Sequence, residues 1–159
     1  MLKNPIKRNE LLKDLSRVNH FTLVFCWKIR QGLEKEVAVE RICKYIQYFW
    51  QHHLQSLLLE KEQVLFPLLE GRQLQKAIRE YKAIRLRMRE LVSSSENYKR
   101  KQLSEFADLV YELMRYEKRD LFPQLEKKIG KLRLEEIVKR PKRDLFYTDN
   151  YIDRFWNIE

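Results

Sequence analysis

The sequence predicts an all-α protein, an up-and-down four-helix bundle forming a single domain over residues 1–159. Three observations predict it. First, the chain has only 3 Gly and 4 Pro in 159 residues, while 35% are charged and 44% hydrophobic. Few breakers among many Leu, Glu, Lys and Arg favour long helices. Second, apolar residues recur every three or four positions along four long stretches, the spacing of amphipathic helices. Third, one segment occurs twice. Residues 60–70 and 116–126 both carry Leu-Phe-Pro, at an offset of 56. That offset pairs Leu57 with Leu113, Lys61 with Glu117, Phe66 with Phe122 and Pro67 with Pro123. Two copies at so long a period do not make a solenoid. They suggest two helical hairpins whose equivalent positions face each other.

Residues 1–10 are polar and precede the first helix, expected over 11–31. Its inward stripe is Leu12, Leu15, Asn19, Leu23, Cys26 and Ile29 or Arg30, and Gly32 follows as its stop. A second helix is expected over 37–69, with Ile42, Ile46, Phe49, His53, Leu57, Lys61, Val64 and Leu68 inward. Pro67 kinks or ends it, because proline lacks an N–H and clashes with the preceding turn. Gly71 marks the break. The third helix covers 72–92, with Leu74, Ala77, Tyr81, Ile84, Met88 and Leu91 on one face. Ser93, Ser94 and Ser95 form a loop, with Ser95 placed to cap the next helix. The fourth helix covers 97–128, with Phe106, Val110, Leu113, Glu117 and Leu121 inward, Pro123 near its end and Gly130 closing it. Residues 132–138 add a short helix, so the core spans about 11–138. The tail, 139–159, carries Phe146, Tyr147, Tyr151, Phe155 and Trp156. Five aromatics are too apolar for free solvent. They are expected to pack back on the bundle, the alternative being a partner surface such as a homodimer interface.

The formal charge is +10, from 33 basic and 23 acidic residues. It raises an anion-binding module as one functional reading. The basic residues are dispersed, with Arg85, Arg87 and Arg89 in one helix, Lys99 to Lys101 in a turn and Lys139 to Arg143 in the tail. Without a recognition motif or interleaved aromatics, this pattern argues against nucleic acid. No apolar run approaches the ~20 residues of a membrane span. No signal peptide is visible, so a cytoplasmic protein is expected. Cys26 and Cys43 lack CxxC spacing and read as reduced helix cysteines. There is no glycine-rich phosphate loop, no GxSxG and no nucleophile–base pattern, and an enzyme is not expected.

The informative residues interrupt the apolar stripes. Asn19, Lys61, Tyr81 and Glu117 supply one polar group per helix, near mid-helix, and His53 lies one turn before Leu57. Buried polar groups need partners, and buried charges need them most. The five together outline a shared interior polar cluster. His53 reads as a structural histidine pointing to the core, His52 as a surface residue, and His20 as facing either the centre or a neighbouring helix.

Several segments carry a family resemblance. They are Leu15-Ser16-Arg17 before His20, then Cys26-Trp27-Lys28-Ile29-Arg30, Phe49-Trp50 before His53-Leu54, both Leu-Phe-Pro segments, Asp149-Asn150 and Phe155-Trp156. In order and spacing the chain resembles the hemerythrin-like, HHE cation-binding bundles of bacteria, in particular a short cytoplasmic subgroup. The resemblance covers nearly the whole chain. It implies histidines and two carboxylates from four helices holding two irons. The first-helix histidine position falls on Asn19, with His20 beside it. The second-helix histidine and glutamate positions fall on Leu57 and Lys61. The third-helix positions fall on Tyr81 and Arg85. The fourth-helix histidine falls on Leu113, and the following carboxylate is kept as Glu117.

The frame matches and the ligands do not. Leucine binds no metal, and a lysine places a positive charge where a dication would sit. The expectation is therefore a degenerate hemerythrin-like protein with no cofactor. It would be a non-enzymatic structural, interaction or small-ligand module of unknown partner. Inside it, Lys61 pairs with Glu117, with Asn19 and Tyr81 hydrogen-bonding around them. The competing arrangement has Lys61 extending to solvent and Glu117 pairing with Lys118 or Arg119. The alternative function is iron and oxygen binding through an altered ligand set, drawn from His20, His53, Glu62 and Glu117.

Overall fold

The computed structural model describes residues 10–93, 100–128 and 149–157, and all structural statements concern these. The chain is all-helical, with four long helical segments and no strand among the described residues. The first segment is α1, Glu10–Glu34. The second runs from α2, Val39–Phe49, through a π-turn, Trp50–Leu54, into α3, Gln55–Val64. A 3₁₀ turn, Phe66–Leu68, leads to the third segment, α4, Gly71–Ser93. The fourth joins α5, Arg100–Tyr116, through a second π-turn, Glu117–Leu121, to α6, Phe122–Lys128. A last 3₁₀ turn is Phe155–Asn157. Residues 1–9, the Ser95 cap, Gly130, the expected 132–138 helix, Phe146 and Tyr147 lie outside the described residues.

Neither π-turn was anticipated, and the stripes explain both. Phe49, His53, Leu57 and Lys61 are all buried, at three successive steps of four. Three turns of α-helix take only about 11 residues, so a straight helix would rotate this row off the core. A π-turn takes up the extra residue and restores the register. The same arithmetic applies to Leu113, Glu117, Leu121 and Leu125, which are also all buried. Each π-turn lies within its row of fours.

Gly32 does not stop the first helix, which continues to Glu34. The left-handed position after it is taken by Glu36, at φ 56°. Gly32 is instead a packing residue: a Cβ there would lie 2.6 Å from Phe155 Cε1 and 3.1 Å from Ile42 Cδ1. On α1 the buried stripe passes through Thr22, while Leu23 is only partly covered. The Thr22 hydroxyl satisfies itself by donating to the Val18 carbonyl at 3.1 Å. Pro67 falls in the 3₁₀ turn after α3, and Gly71, at φ 53°, provides the left-handed residue at the break.

The core is contiguous and centred on α1 packed along α5. Phe25 stacks on Phe49 with ring centroids 4.0 Å apart, and Tyr45 sits beside both. Residues 149–157 lie against α1 and α2. Tyr45 touches the rings of Tyr151, Phe155 and Trp156. Asp149 accepts from Lys28 at 2.5 Å and from the Tyr45 hydroxyl at 2.6 Å. Arg41 forks onto Asp153 at 2.6 and 2.9 Å, and Lys35 donates to the Trp156 carbonyl at 2.8 Å.

Candidate functional site: a buried ion pair joining four helices

Lys61 comes from the last turn of α3, and Glu117 opens the second π-turn. Both are buried, at 0% and 1% exposure. Lys61 Nζ donates to Glu117 Oε1 at 2.5 Å and to Asn19 Oδ1 at 2.6 Å, and its third contact is Met114 Sδ at 3.5 Å. An ammonium has three donors, and these three partners occupy them. Glu117 Oε1 also accepts from Asn19 Nδ2 at 3.0 Å, while Oε2 accepts from the Tyr81 hydroxyl at 2.7 Å. The Asn19 amide bridges both charges, offering its oxygen to the cation and its nitrogen to the anion. Each of the four long segments contributes a side chain: Asn19 from α1, Lys61 from α3, Tyr81 from α4 and Glu117 from the fourth.

Desolvating either charge costs several kcal/mol, so the arrangement persists only because both are paired and hydrogen-bonded. Burial pushes the Lys61 ammonium below its usual range, opposed by the Glu117 charge. Burial, reinforced by Glu117, drives the Tyr81 phenol well above its usual range, so it remains a donor. His53 lies on the same helix face, edge-on to Phe49 with centroids 4.9 Å apart. Burial first, and the Lys61 charge second, lower it to about 4, so its imidazole is neutral near pH 7. His53 is buried within range of the Lys61 charge. The four-residue hydrogen-bonded network proper is Asn19, Lys61, Tyr81 and Glu117.

The fallback metal set is not brought together. His20 and His52 are exposed. Glu62 turns to Arg85, whose Nη1 donates to its Oε2 at 3.0 Å and whose Nη2 contacts its Oε1. Among the described residues, no group of three or more His, Cys, Asp or Glu is placed to hold a metal ion. The donor set at the centre does not suit two irons either. Leu57 and Leu113 are buried at the implied histidine positions, and the Lys61 ammonium fills the implied carboxylate position.

Two features escaped the sequence. One is Met114, which turns its thioether to the ammonium, a role that a methionine on an apolar face does not announce. The other is the Arg85–Glu62 pair, whose partners lie 23 residues apart on different helices. Burial pushes the Cys26 thiol up to about 12 and the Cys43 thiol up to about 11, so both favour the protonated form near pH 7. No helix among the described residues is long and apolar enough to cross a membrane. Comparison with protein-family models, with curated proteins and with solved structures gave no match.

Proposed function

We propose that this chain is a hemerythrin-like, up-and-down four-helix bundle in which a charge-paired, metal-free core stands where the family holds two irons. Its aromatic tail completes the bundle. It acts in the cytoplasm as a non-enzymatic structural, interaction or small-ligand module. The observation that carries the reading is the Lys61–Glu117 pair, with its Asn19 and Tyr81 hydrogen bonds. These four residues fall on the ligand positions that the resemblance implies. An ammonium beside a carboxylate supplies internally the positive charge that a metal would bring. The same closure argues against catalysis at this centre, since Lys61 has no exposed surface and every donor on its nitrogen is engaged.

The test is metal content with a visible spectrum, on protein expressed with abundant iron. The expected result is colourless protein with iron far below one atom per chain. Two irons per chain, with the near-ultraviolet and visible bands of a bridged di-iron centre, would overturn the proposal.

A further inference from the structure

An open cleft of ≈ 360 Å³ lies between the second helical segment and the C-terminal half of α4. Trp50 and Gln55 form its wall on the second segment, and Arg85, Met88, Arg89 and Val92 form the wall on α4. We infer that this cleft binds a small aromatic carboxylate. The site is separate from the buried ion pair, and the inference does not depend on whether the core is metal-free.

Three observations converge. The first is shape: the volume falls at the small end of the ~300–1,000 Å³ range of clefts that take small molecules. The second is position. Trp50 is the first residue of the π-turn, and Gln55 is the residue just after it. The wall is therefore built on the local irregularity of this helix, and π-turns gather at functional sites.

The third is chemistry. Trp50, Met88 and Val92 give an aromatic, a thioether and an aliphatic surface. Trp50 is half-buried against the core, Met88 is buried at 3% exposure, and Val92 is open to solvent at 59%. This combination suits a flat apolar body, through ring stacking and sulfur–aromatic contact. Of the two guanidinium groups that line the cleft, Arg85 is paired with a carboxylate, Glu62. Two positive charges and one negative charge leave one net positive charge at the cleft. That balance fits a monoanion better than a phosphate dianion. Arg89 has no ion-pair partner among the described residues, so its planar fork is the group that meets the ligand carboxylate.

The probe is 2-naphthoate, titrated into the full chain carrying ¹³C-methyl methionine. Met88 lines the cleft and Met114 contacts Lys61 in the core, so the two methyl signals report the site and the interior separately. The expected result is a saturable shift of the Met88 methyl with the Met114 methyl unmoved. Arg89→Gln should weaken binding about tenfold, the loss of one charge-assisted contact, and Trp50→Leu should weaken it at least as much. The neutral 2-naphthamide should bind at least tenfold more weakly, and acetate should give no saturable shift. An unchanged Met114 signal in each variant shows that the fold is intact. The inference is overturned if the Met88 methyl does not respond, if naphthamide binds as well as naphthoate, or if Arg89→Gln leaves affinity unchanged.

Discussion

Lys61 Nζ lies 2.5 Å from Glu117 Oε1, and the two residues are 56 positions apart, the interval that separates the two Leu-Phe-Pro segments. At this one pair of equivalent positions the internal repeat is also a contact, made at the centre of the core. The opposite charges at those positions turn a symmetric frame into a pair. Asn19 and Tyr81 add the hydrogen bonds that a buried pair needs.

Removing one partner should cost far more than removing both. Lys61→Met leaves Glu117 buried beside Tyr81 and Asn19 without a cation. A loss of about 3–5 kcal/mol is expected, as when a buried pair is broken on one side. The double variant Lys61→Met/Glu117→Gln has no charge: the glutamine oxygen accepts from Tyr81, and its N–H₂ donates to the Asn19 oxygen that Lys61 releases. It should recover most of the loss, because well-packed neutral replacements of buried pairs are often neutral or better. Urea unfolding of parent, single and double variants completes the comparison. A single variant within about 1 kcal/mol of the parent would show that the pair does not hold the core as described.

His53 gives the fold an acid-sensitive component. Its imidazole is lowered from 6.5 to about 4 in the folded protein, by burial first and by Lys61 second. Between those values the unfolded chain binds a proton that the folded chain does not. Stability is therefore full above about pH 6.5 and falls as the pH drops towards 4. At about 1.4 kcal/mol per pKa unit, the contribution amounts to about 3 kcal/mol. His53→Leu should flatten the pH 4–6.5 part of the stability curve, leaving only the carboxylate titrations at its acid end. Urea midpoints measured across that range decide it, and parallel curves for parent and variant would remove His53 from the account.

Gly32→Ala tests whether helix propensity or packing rules at this position. In a helix interior, alanine gains about 1 kcal/mol over glycine. Here the added methyl would sit 2.6 Å from a Phe155 ring that is fully buried. Overpacking of this kind costs about 1–3 kcal/mol. The expected outcome is net destabilisation with release of residues 149–157. It would be seen as a red shift of tryptophan emission and faster proteolysis near the C-terminus. Phe155→Leu in the same chain should relieve the clash. A stabilised Gly32→Ala variant with unchanged emission would mean that the Phe155 contact is looser than the structure has it.

Much of this was legible in the sequence, and the failures have identifiable causes. Of the third-helix face read from spacing alone, Ala77, Tyr81, Ile84, Met88 and Leu91 are buried and Leu74 is partly buried. The polar interruptions could be read because a lone charge on an apolar stripe has few physical solutions. The π-turns were written in the same stripes, as three consecutive steps of four, but that signal shows only when spacing is compared with 3.6 residues per turn. Gly32 was misread because a local rule for helix ends competes with a contact to Phe155, far along the chain. The Arg85–Glu62 pair and the cleft depend on how two helices lie side by side, which spacing within one helix does not encode.

The core should also accept a metal if the ligands that the resemblance implies are introduced. The variant Asn19→His, Leu57→His, Lys61→Glu, Tyr81→His and Leu113→His, with Glu117 kept, offers four histidines and two carboxylates. All six positions are buried, at 3% exposure or less. Without metal, two carboxylates would crowd one apolar site, so the apo variant should be much less stable than the parent. Binding of iron to the folded state alone would return stability, by about 4 kcal/mol at a thousandfold excess over the dissociation constant. The expected observation is a melting temperature that rises with ferrous iron and levels off near two equivalents in the variant, while the parent does not respond. If the apo variant does not fold, the same chain with Lys61→Gln in place of Lys61→Glu removes the carboxylate repulsion and permits the same titration. A folded variant whose melting temperature ignores ferrous iron would show that these six positions do not form a metal frame. The resemblance at the centre of the bundle would then be one of sequence pattern and not of site geometry.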